Sequence, residues 1–208
     1  MMNKFVNLHR LLNSYRLVLA SGSPRRVKIL AEGSIPFRQI VPDIDEDDHD
    51  ISNPTDLAIT LAEKKALAVR DMLSQNEIAL GCDTIVILRG RILGKPKSPE
   101  DAFNMLSDLS GQRHTVCSAV ALMNSRGNIK SGYELTDVYF NKVDGEDIRK
   151  YIATGGPLDK AGAYGIQEEG RFLVDRIKGN LDNVIGLPMS LLEELAAEIL
   201  TDQERYEL

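Results

Sequence analysis

The sequence predicts a mixed α/β fold for this chain of 208 residues. Short apolar runs such as Arg16–Ala20 are typical of strands, and they alternate with helix starts such as Ser23-Pro24. A hairpin is indicated as well, because Arg89-Gly90 separates two apolar runs. Crossovers combined with hairpins favour a mixed sheet over a purely doubly wound one.

The first half of the chain is predicted to alternate strands and helices. Asn53-Pro54 and Ser98-Pro99 each provide a capping side chain followed by proline at the first helical position. The predicted order is a strand over 16–20, a helix over about 24–33, a strand over 37–41, an acidic loop over 43–50, a helix over about 54–73, a strand over 78–88 and a returning strand over 91–93.

The second half is predicted to continue with a helix, two long strands and smaller elements. The predicted order is a helix from Ser98 that ends near Gly111, strands over about 113–123 and 132–143, a helix over 144–153, a loop over 154–162, strands near 163–167 and 171–177, and a terminal helix from Pro188. Residues 1–15 are expected to form a frayed N-terminal extension, and residues 16–208 a single domain.

Composition and charge exclude several classes of protein. With a net charge of −6 and 5% aromatic residues, the chain lacks the basic and stacking surfaces of nucleic-acid-binding proteins. No apolar run approaches the ~20 residues of a membrane span, and the N-terminus lacks the apolar core of a signal peptide. Cys82 and Cys117 lie in apolar runs and are predicted to be buried, reduced thiols, which suits the cytoplasm. A catalytic cysteine is the disfavoured alternative, because neither cysteine adjoins a histidine.

The turn Ser21–Arg26 is a candidate anion-binding site. It joins a strand to a helix start, where exposed backbone N–H groups favour anions. Ser21 and Ser23 add hydroxyl groups. Arg25 and Arg26 add guanidinium groups that pair with phosphate oxygens. The alternative is a well-capped helix with two solvated arginines. The turn is not a Walker A loop, because the Gly-Lys-Ser/Thr ending is missing.

Asp83 places a carboxylate within the apolar run Ile78–Leu88. A buried carboxylate without a partner is strongly unfavourable, so such a group is normally paired, metal-bound or protonated. The alternative is an aspartate at the end of a strand, but Thr84–Leu88 continues the strand beyond it. Asp83 is therefore a candidate functional residue.

Lys65 lies on the apolar side of the helix that begins at Pro54. It is four residues after Leu61 and four before Val69, which belong to the apolar stripe, whereas Lys64 is turned about 100° away. A lysine that points inward needs an anion as its partner. The alternative is a lysine at the margin of the stripe whose ammonium reaches water.

Lys95 is a weaker candidate, which stands between Gly94 and Pro96 after the returning strand. The hairpin is expected to bring it near Asp83. The alternative is an ordinary turn lysine.

The acidic loop Asp43–Asp50 suits a divalent cation, because carboxylate oxygens are the ligands that hard cations prefer. Asp45 and Glu46 are best placed, since they are close to the preceding strand. The alternative is a solvated charged loop. The three histidines show no zinc-ligand spacing: His9, His49 and His114.

Residues 159–167 form a glycine-dense segment that reads Asp-Lys-Ala-Gly-Ala-Tyr-Gly-Ile-Gln. Glycines allow the backbone to approach a ligand closely. The residues alone favour a loop with an edge strand over a ligand site.

Taken together, several ordered strings resemble the Maf family of nucleotide pyrophosphatases from about Leu17 to Leu200. The strings are Ala20-Ser-Gly-Ser-Pro-Arg-Arg26, Leu61-Ala-Glu-Lys-Lys-Ala66, Gly81-Cys-Asp-Thr84, Gly94-Lys-Pro96, Leu109-Ser-Gly111, Pro157-Leu-Asp-Lys-Ala-Gly-Ala-Tyr-Gly-Ile-Gln167 and Val184-Ile-Gly-Leu-Pro188. The resemblance implies a catalytic domain over 16–208, with two lobes around a central cleft and a fold similar to that of inosine-triphosphate pyrophosphatase.

The resemblance also implies an activity, which is hydrolysis of a nucleoside triphosphate between its α- and β-phosphates. A divalent cation, Mg²⁺ or Mn²⁺, is implied as cofactor. By motif, Asp83 would accept the proton of the attacking water, and Asp45 with Asp83 would hold the metal. The acidic loop itself offers Glu46 as a further candidate ligand. The implied substrate-binding residues are Ser21, Ser23, Arg25, Arg26, Lys65 and Lys95. The two roles of Asp83 compete in part, since a metal-bound carboxylate is a weaker base.

Arg25, Thr84 and Gln167 occupy the positions that divide the family by substrate, and their combination resembles the subgroup acting on dTTP and UTP. The amide of Gln167 both donates and accepts hydrogen bonds, as a uracil or thymine edge requires. Two residues depart from the usual pattern: Glu168 replaces a glycine, and Cys82 replaces an alanine. Glu168 adds a carboxylate beside Gln167.

Two other functions remain open at this stage. One is a house-cleaning pyrophosphatase for modified or purine nucleotides, and the other is a nucleotide-sensing regulator of cell division with weak hydrolysis. The set of Asp83, Lys65 and Lys95 favours an enzyme. The expected partner is a nucleoside triphosphate, without nucleic acid or membrane, and a homodimer is left open.

Overall fold

A computed structural model of the chain describes residues 5–46 and 51–206. These residues divide into two compact units. Unit 1 comprises the described residues up to Asp83, together with 118–134 and those from Gly186 onward, and unit 2 comprises 84–117 and 135–185. Among the described residues, no helix is long and apolar enough to cross a membrane.

The helices and strands are numbered separately in chain order. The described residues form seven strands: β1 (Arg16–Ala20), β2 (Phe37–Ile40), β3 (Glu77–Leu88), β4 (Arg91–Leu93), β5 (Arg113–Asn124), β6 (Ile129–Phe140) and β7 (Val174–Lys178). The helices are α1 (Val6–Ser14), α2 (Pro24–Glu32), α3 (Pro54–Ala68), α4 (Pro99–Leu109), α5 (Gly145–Ala153), α6 (Leu181–Ile185) and α7 (Met189–Tyr206). Short 3₁₀ helices cover Arg70–Met72, Gly156–Asp159, Ala161–Ala163 and Glu168–Leu173.

The strands form one mixed sheet in the order β2-β1-β3-β5-β6-β7, with β4 paired to β3. β1 runs parallel to both β2 and β3, whereas β3 with β4 and β6 with β7 are antiparallel. The predicted mixed α/β class is therefore confirmed. The turn between β3 and β4 falls at Arg89 and Gly90, which both have positive φ angles.

Residues 6–14 are not frayed, so the predicted state of the N-terminal extension is wrong for this part. They form α1, which packs against α7 in unit 1, with Leu8 and Leu11 fully buried. The carboxylate of Glu193 accepts hydrogen bonds from the backbone N–H groups of Asn7 and Leu8, at 2.7 and 2.8 Å. The capping group thus comes from the far end of the chain, where local sequence gives no sign of it.

The prediction for residues 163–177 is wrong in part. No strand covers 163–167; this segment leaves one 3₁₀ helix and leads into the next, and the strand begins only at Val174. Gly162 and Ala163 both have positive φ angles, of 66° and 58°, which a strand does not accommodate. The helix expected over 54–73 also ends early, at Ala68, before a 3₁₀ turn, and α6 was not predicted.

Candidate active site

The register of β1 and β3 places two predicted motifs of unit 1 at the same edge. β1 pairs in parallel with β3, with Ala20 opposite Gly81. Ser21 follows Ala20 immediately, and Asp83 follows Gly81 by two residues. Because β1 ends at Ala20, opposite Gly81, the Ser21–Arg26 turn begins at the level of β3 where Asp83 lies.

Gly81 allows α3 to lie directly on β3. A Cβ atom at this position would lie 2.1 Å from the carbonyl oxygen of Ala62 and 2.9 Å from the backbone nitrogen of Ala66, both in α3. Side chains alternate along a strand, so Asp83 faces the same side as Gly81. Lys65 lies between these two contacts on α3, and its side chain meets Asp83.

Lys65 bridges two carboxylates in unit 1. Its ammonium donates a hydrogen bond to Oδ1 of Asp83 at 2.6 Å and lies 2.7 Å from Oε1 of Glu46. Lys65 and Asp83 are 7% and 6% exposed, whereas the Glu46 side chain is about one-third exposed, at 37%. The prediction that Lys65 points inward and that Asp83 is paired is confirmed, and the snorkelling alternative is wrong. Within the described residues, Oδ2 of Asp83 accepts no hydrogen bond.

Part of the predicted acidic loop contributes to this cluster. Glu46 reaches Lys65, while Asp45 beside it is exposed. Asp47, Asp48, His49 and Asp50 lie outside the described residues. Across the described ranges, no group of three or more histidine, cysteine, aspartate or glutamate side chains is arranged to hold a metal ion. Asp83 and Glu46 are the two carboxylates that meet at Lys65.

The Ser21–Arg26 turn is organised by its own side chains. Ser21 Oγ accepts hydrogen bonds from Arg26 Nη1 at 2.8 Å and from the backbone nitrogen of Ser23 at 3.2 Å. Arg26 is buried, at 7% exposed, and its Nε donates to the carbonyl of Gly186 at 2.9 Å. Ser21 and Arg26 thus shape the turn, and their binding of phosphate stays a prediction.

Ser23 and Arg25 are the more accessible members of the same turn, since both are half-buried. Ser23 is the residue before α2, as predicted, but its side chain makes no capping hydrogen bond. Its hydroxyl is thus not committed to the helix start, unlike that of Ser98 before α4, which caps Asp101.

Cys82 is fully buried, and burial raises the pKa of its thiol to about 11, although the nearby Arg26 and Lys65 oppose the shift. At neutral pH the side chain is therefore a neutral thiol, which is a poor nucleophile. Cys117 is buried as well, and neither cysteine forms a disulfide. Both cysteines fit the predicted buried, reduced state.

In unit 2, the glycine-dense segment packs against the β3–β4 hairpin. The backbone nitrogen of Gly162 donates to the carbonyl oxygen of Gly94 at 3.0 Å. A Cβ atom on Gly162 would meet the side chain of Val86 at 3.0 Å, and its φ of 66° also favours glycine. The segment is thereby fixed next to Lys95, which is exposed.

Thr84 and Gln167, two predicted specificity residues, also belong to unit 2, and both are half-buried. The β3–β4 pairing joins Val86 to Leu93, so the chain after Leu93 runs back toward Thr84. Lys95 follows Leu93 by two residues. The roles of Thr84, Lys95 and Gln167 stay predictions.

Sequence reasoning missed a buried polar pair in unit 2. Nε2 of His114 lies 2.7 Å from Oη of Tyr164, in the glycine-dense segment, and both rings are nearly perpendicular to Phe140. Burial lowers the pKa of His114 to about 4, so its ring is neutral at pH 7. The only signal in the sequence was a histidine near the start of an apolar strand, which alone does not identify its partner.

Comparison with known proteins identifies the family. Residues 16–199 match the family described as Maf-like protein, and the chain belongs to this family.

Two relatives of similar length have the same description. A dTTP/UTP pyrophosphatase of Bacillus cytotoxicus is 44% identical over 177 residues, which covers 85% of this chain and 92% of that protein. A dTTP/UTP pyrophosphatase of Thermococcus kodakarensis is 42% identical over 188 residues, which covers 89% of this chain and 99% of that protein.

Among solved structures, a HAM1 protein from Coxiella burnetii is 18% identical with a TM-score of 0.45, covering 90% of this chain and 99% of that one.

Proposed function

We propose that this protein hydrolyses dTTP and UTP to the nucleoside monophosphate and pyrophosphate. The observation that carries the proposal is the pairing of Lys65 with Asp83 at the same sheet edge as the Ser21–Arg26 turn. Membership of the Maf family and the names of its relatives, which are dTTP/UTP pyrophosphatases, support the same conclusion.

Asp83 is the proposed acceptor of the proton from the attacking water. Lys65 neutralises Oδ1, which leaves Oδ2 as the oxygen that orients the water. The ammonium offsets the cost of burying the carboxylate, because a nearby opposite charge compensates for the lost water. The neutral thiol of Cys82 next to it supports water rather than a protein side chain as the nucleophile.

Phosphate binding is proposed for the cations and hydroxyls around this edge. Hydrolysis of a phosphoanhydride needs positioned positive groups around the developing charge more than an elaborate nucleophile. In unit 1, Ser23 and Arg25 are the accessible groups of the turn, while Ser21 and Arg26 hold its shape. Lys65 belongs to the same proposed set in unit 1, and phosphate binding is proposed separately for the exposed Lys95 of unit 2.

The donor set fits a divalent cation. Asp83 and Glu46 provide carboxylate oxygens, with Asp45 adjacent, and Mg²⁺ or Mn²⁺ is commonly held by one or two carboxylates together with substrate phosphates. When bound, such a cation neutralises charge on the phosphate oxygens. The residues proposed to hold it are Asp83 with Asp45 or Glu46.

Selection of the base is proposed for Arg25, Thr84 and Gln167. The relatives named dTTP/UTP pyrophosphatase support a pyrimidine substrate with donor and acceptor groups on its edge. The amide of Gln167 matches such an edge. A cytoplasmic location is also proposed, because two buried cysteines that form no disulfide suit a reducing compartment.

A hydrolysis assay with product identification tests the proposal. Purified protein with Mg²⁺ or Mn²⁺ is given a panel of UTP, dTTP, CTP, ATP and GTP. We expect pyrophosphate release from UTP and dTTP, and a loss of at least about a hundredfold in Asp83→Asn, as is typical when a positioned base is removed. Asp108→Asn, which changes an exposed carboxylate of unit 2, is the matched control. Release of orthophosphate, or equal turnover of all five nucleotides, would contradict the proposal.

A further inference from the structure

His114 lies on β5 with its ring in the core of unit 2, and it is only 2% exposed. Its Nε2 atom lies 2.7 Å from Tyr164 Oη, while Nδ1 is buried without a hydrogen-bond partner among the described residues. Phe140 packs edge-on against both rings, with centroid distances of 4.8 Å to each. The three rings thus form one compact cluster that contains a single hydrogen bond.

Stability alone does not account for the His114–Tyr164 pair. A buried nitrogen without a partner costs free energy, and two apolar side chains of similar shape would fill the space without that cost. What the hydrogen bond adds is a fixed orientation, since it ties the end of the Tyr164 ring to one point on β5. Burial lowers the pKa of His114 to about 4, so the ring that makes this bond is neutral at physiological pH.

The fixed point lies within the segment that leads to Gln167. On one side, Gly162 donates to Gly94, next to Lys95. On the other side, the backbone nitrogen of Gly165 donates to Tyr151 Oη at 3.1 Å. A Cβ atom at Gly170 would lie 2.0 Å from the carbonyl oxygen of Gly165, so the following turn is closely packed as well. The His114–Tyr164 hydrogen bond lies between these two in sequence, and it holds the segment through the side chain of Tyr164.

We propose that His114 is a positioning residue, whose hydrogen bond to Tyr164 sets the path of residues 162–167 and thereby the placement of Gln167 for the nucleotide base. This inference rests on the proposed function, because it assigns His114 a part in selecting the substrate of that reaction. His114 touches no reacting atom and acts through Tyr164.

The test compares Tyr164→Phe, His114→Leu and the double variant with wild type. Each removes the hydrogen bond, and Tyr164→Phe keeps the ring packing. We expect KM for UTP and dTTP to rise on the order of tenfold, with kcat within about threefold, because misplaced binding groups act mainly on substrate positioning. The preference for UTP over CTP is expected to fall in parallel. The double variant should resemble the single ones, because all three lose one shared bond.

Hydrogen–deuterium exchange gives a readout that does not depend on activity. We expect faster exchange in peptides covering 162–170 of all three variants. Leu8→Ala, a fully buried change on α1 in unit 1, is the control; it should lower the melting temperature without altering KM, base preference or exchange at 162–170. His114→Gln, whose amide can still donate to Tyr164, should restore KM in part.

The outcomes separate the two proposals. If wild type releases pyrophosphate from UTP and dTTP while the variants keep KM, base preference and exchange unchanged, His114 is a structural residue and the inference is wrong. If the variants only lose thermal stability, as expected of Leu8→Ala, the same conclusion holds. If wild type hydrolyses neither nucleotide, the proposed function itself fails and the inference falls with it.

Discussion

The ammonium of Lys65 lies 2.6 Å from Oδ1 of Asp83, with both side chains less than a tenth exposed. Oε1 of Glu46 lies 2.7 Å from the same ammonium, so two carboxylates share one cation. Little water reaches the Lys65–Asp83 pair to screen it, which makes each charge depend strongly on the other. The group that the proposed reaction uses as a base is therefore also part of the structure of unit 1.

Replacing Lys65 by methionine tests this dependence. We expect Lys65→Met to lower the free energy of unfolding by about 3 kcal/mol, because Asp83 is left buried without its partner and close to Glu46. Urea denaturation at pH 7 measures the change. Nucleotide hydrolysis should also weaken strongly, since both the phosphate contact and the charge on Asp83 are disturbed.

Lys64 provides the matched control, because it is the neighbouring lysine on α3 and is exposed. Lys64→Met is expected to change the free energy of unfolding by no more than about 0.5 kcal/mol. The double variant Lys65→Met/Asp83→Asn should recover part of the stability lost in Lys65→Met while remaining inactive, because the buried charge is removed. Equal stability of Lys65→Met and wild type would show that the Lys65–Asp83 pair does not stabilise the fold.

Gly81 offers a second test, which acts through backbone packing. In Gly81→Ala the new methyl group would lie 2.1 Å from the carbonyl oxygen of Ala62, so α3 has to move away from β3. We expect a loss of about 2–3 kcal/mol of stability. We also expect a large fall in kcat/KM, because Lys65 moves with α3.

Gly145→Ala is the control for this substitution. Its new methyl group would approach the ring of Phe103 no closer than 3.5 Å, which is an ordinary contact at the start of α5. Its effect on stability should stay below about 1 kcal/mol. If Gly81→Ala has normal activity and stability, the direct contact of α3 with β3 is not what positions Lys65.

Sequence alone anticipated Lys65 and Asp83 because both violate a local pattern. A lysine on the apolar stripe of a helix and an aspartate within an apolar strand each demand a partner. That each is the other's partner depends on where α3 packs, which the glycine at position 81 permits. Periodicity reveals the face of an element but not the neighbour that the face meets.

The features that sequence analysis missed have long-range causes. Glu193 caps α1 from the other end of the chain, so the nine residues of α1 resembled an unstructured extension. The segment 163–167 has the apolar character of a strand, but left-handed conformations at Gly162 and Ala163 prevent one. The hydrogen-bond partner of His114 is Tyr164, fifty residues later, which the sequence around His114 does not reveal.

At the opposite end of β1 and β3, Arg38 and Glu77 form a two-pronged ion pair. Arg38 Nε and Nη2 donate to the two carboxylate oxygens of Glu77 at 2.6 and 2.8 Å. The backbone nitrogen of Ser74 donates to the same carboxylate at 2.8 Å. These hydrogen bonds, that from Arg38 above all, lower the pKa of Glu77 from 4.5 to about 2. A lowered pKa in the folded state means that the folded protein favours the ionised form.

The Glu77 pair should therefore stabilise the protein fully above pH 4.5 and progressively less as the pH falls toward 2. We expect Glu77→Gln to reduce the free energy of unfolding by about 2 kcal/mol at pH 7, with the difference from wild type vanishing near pH 2. Urea denaturation of both proteins between pH 7 and pH 2 measures this difference in the free energy of unfolding. Asp108→Asn, which breaks the exposed Arg91–Asp108 pair, should cost less than about 0.5 kcal/mol at any pH. A Glu77→Gln difference that does not change between pH 7 and pH 2 would show that the ionised pair is not its source.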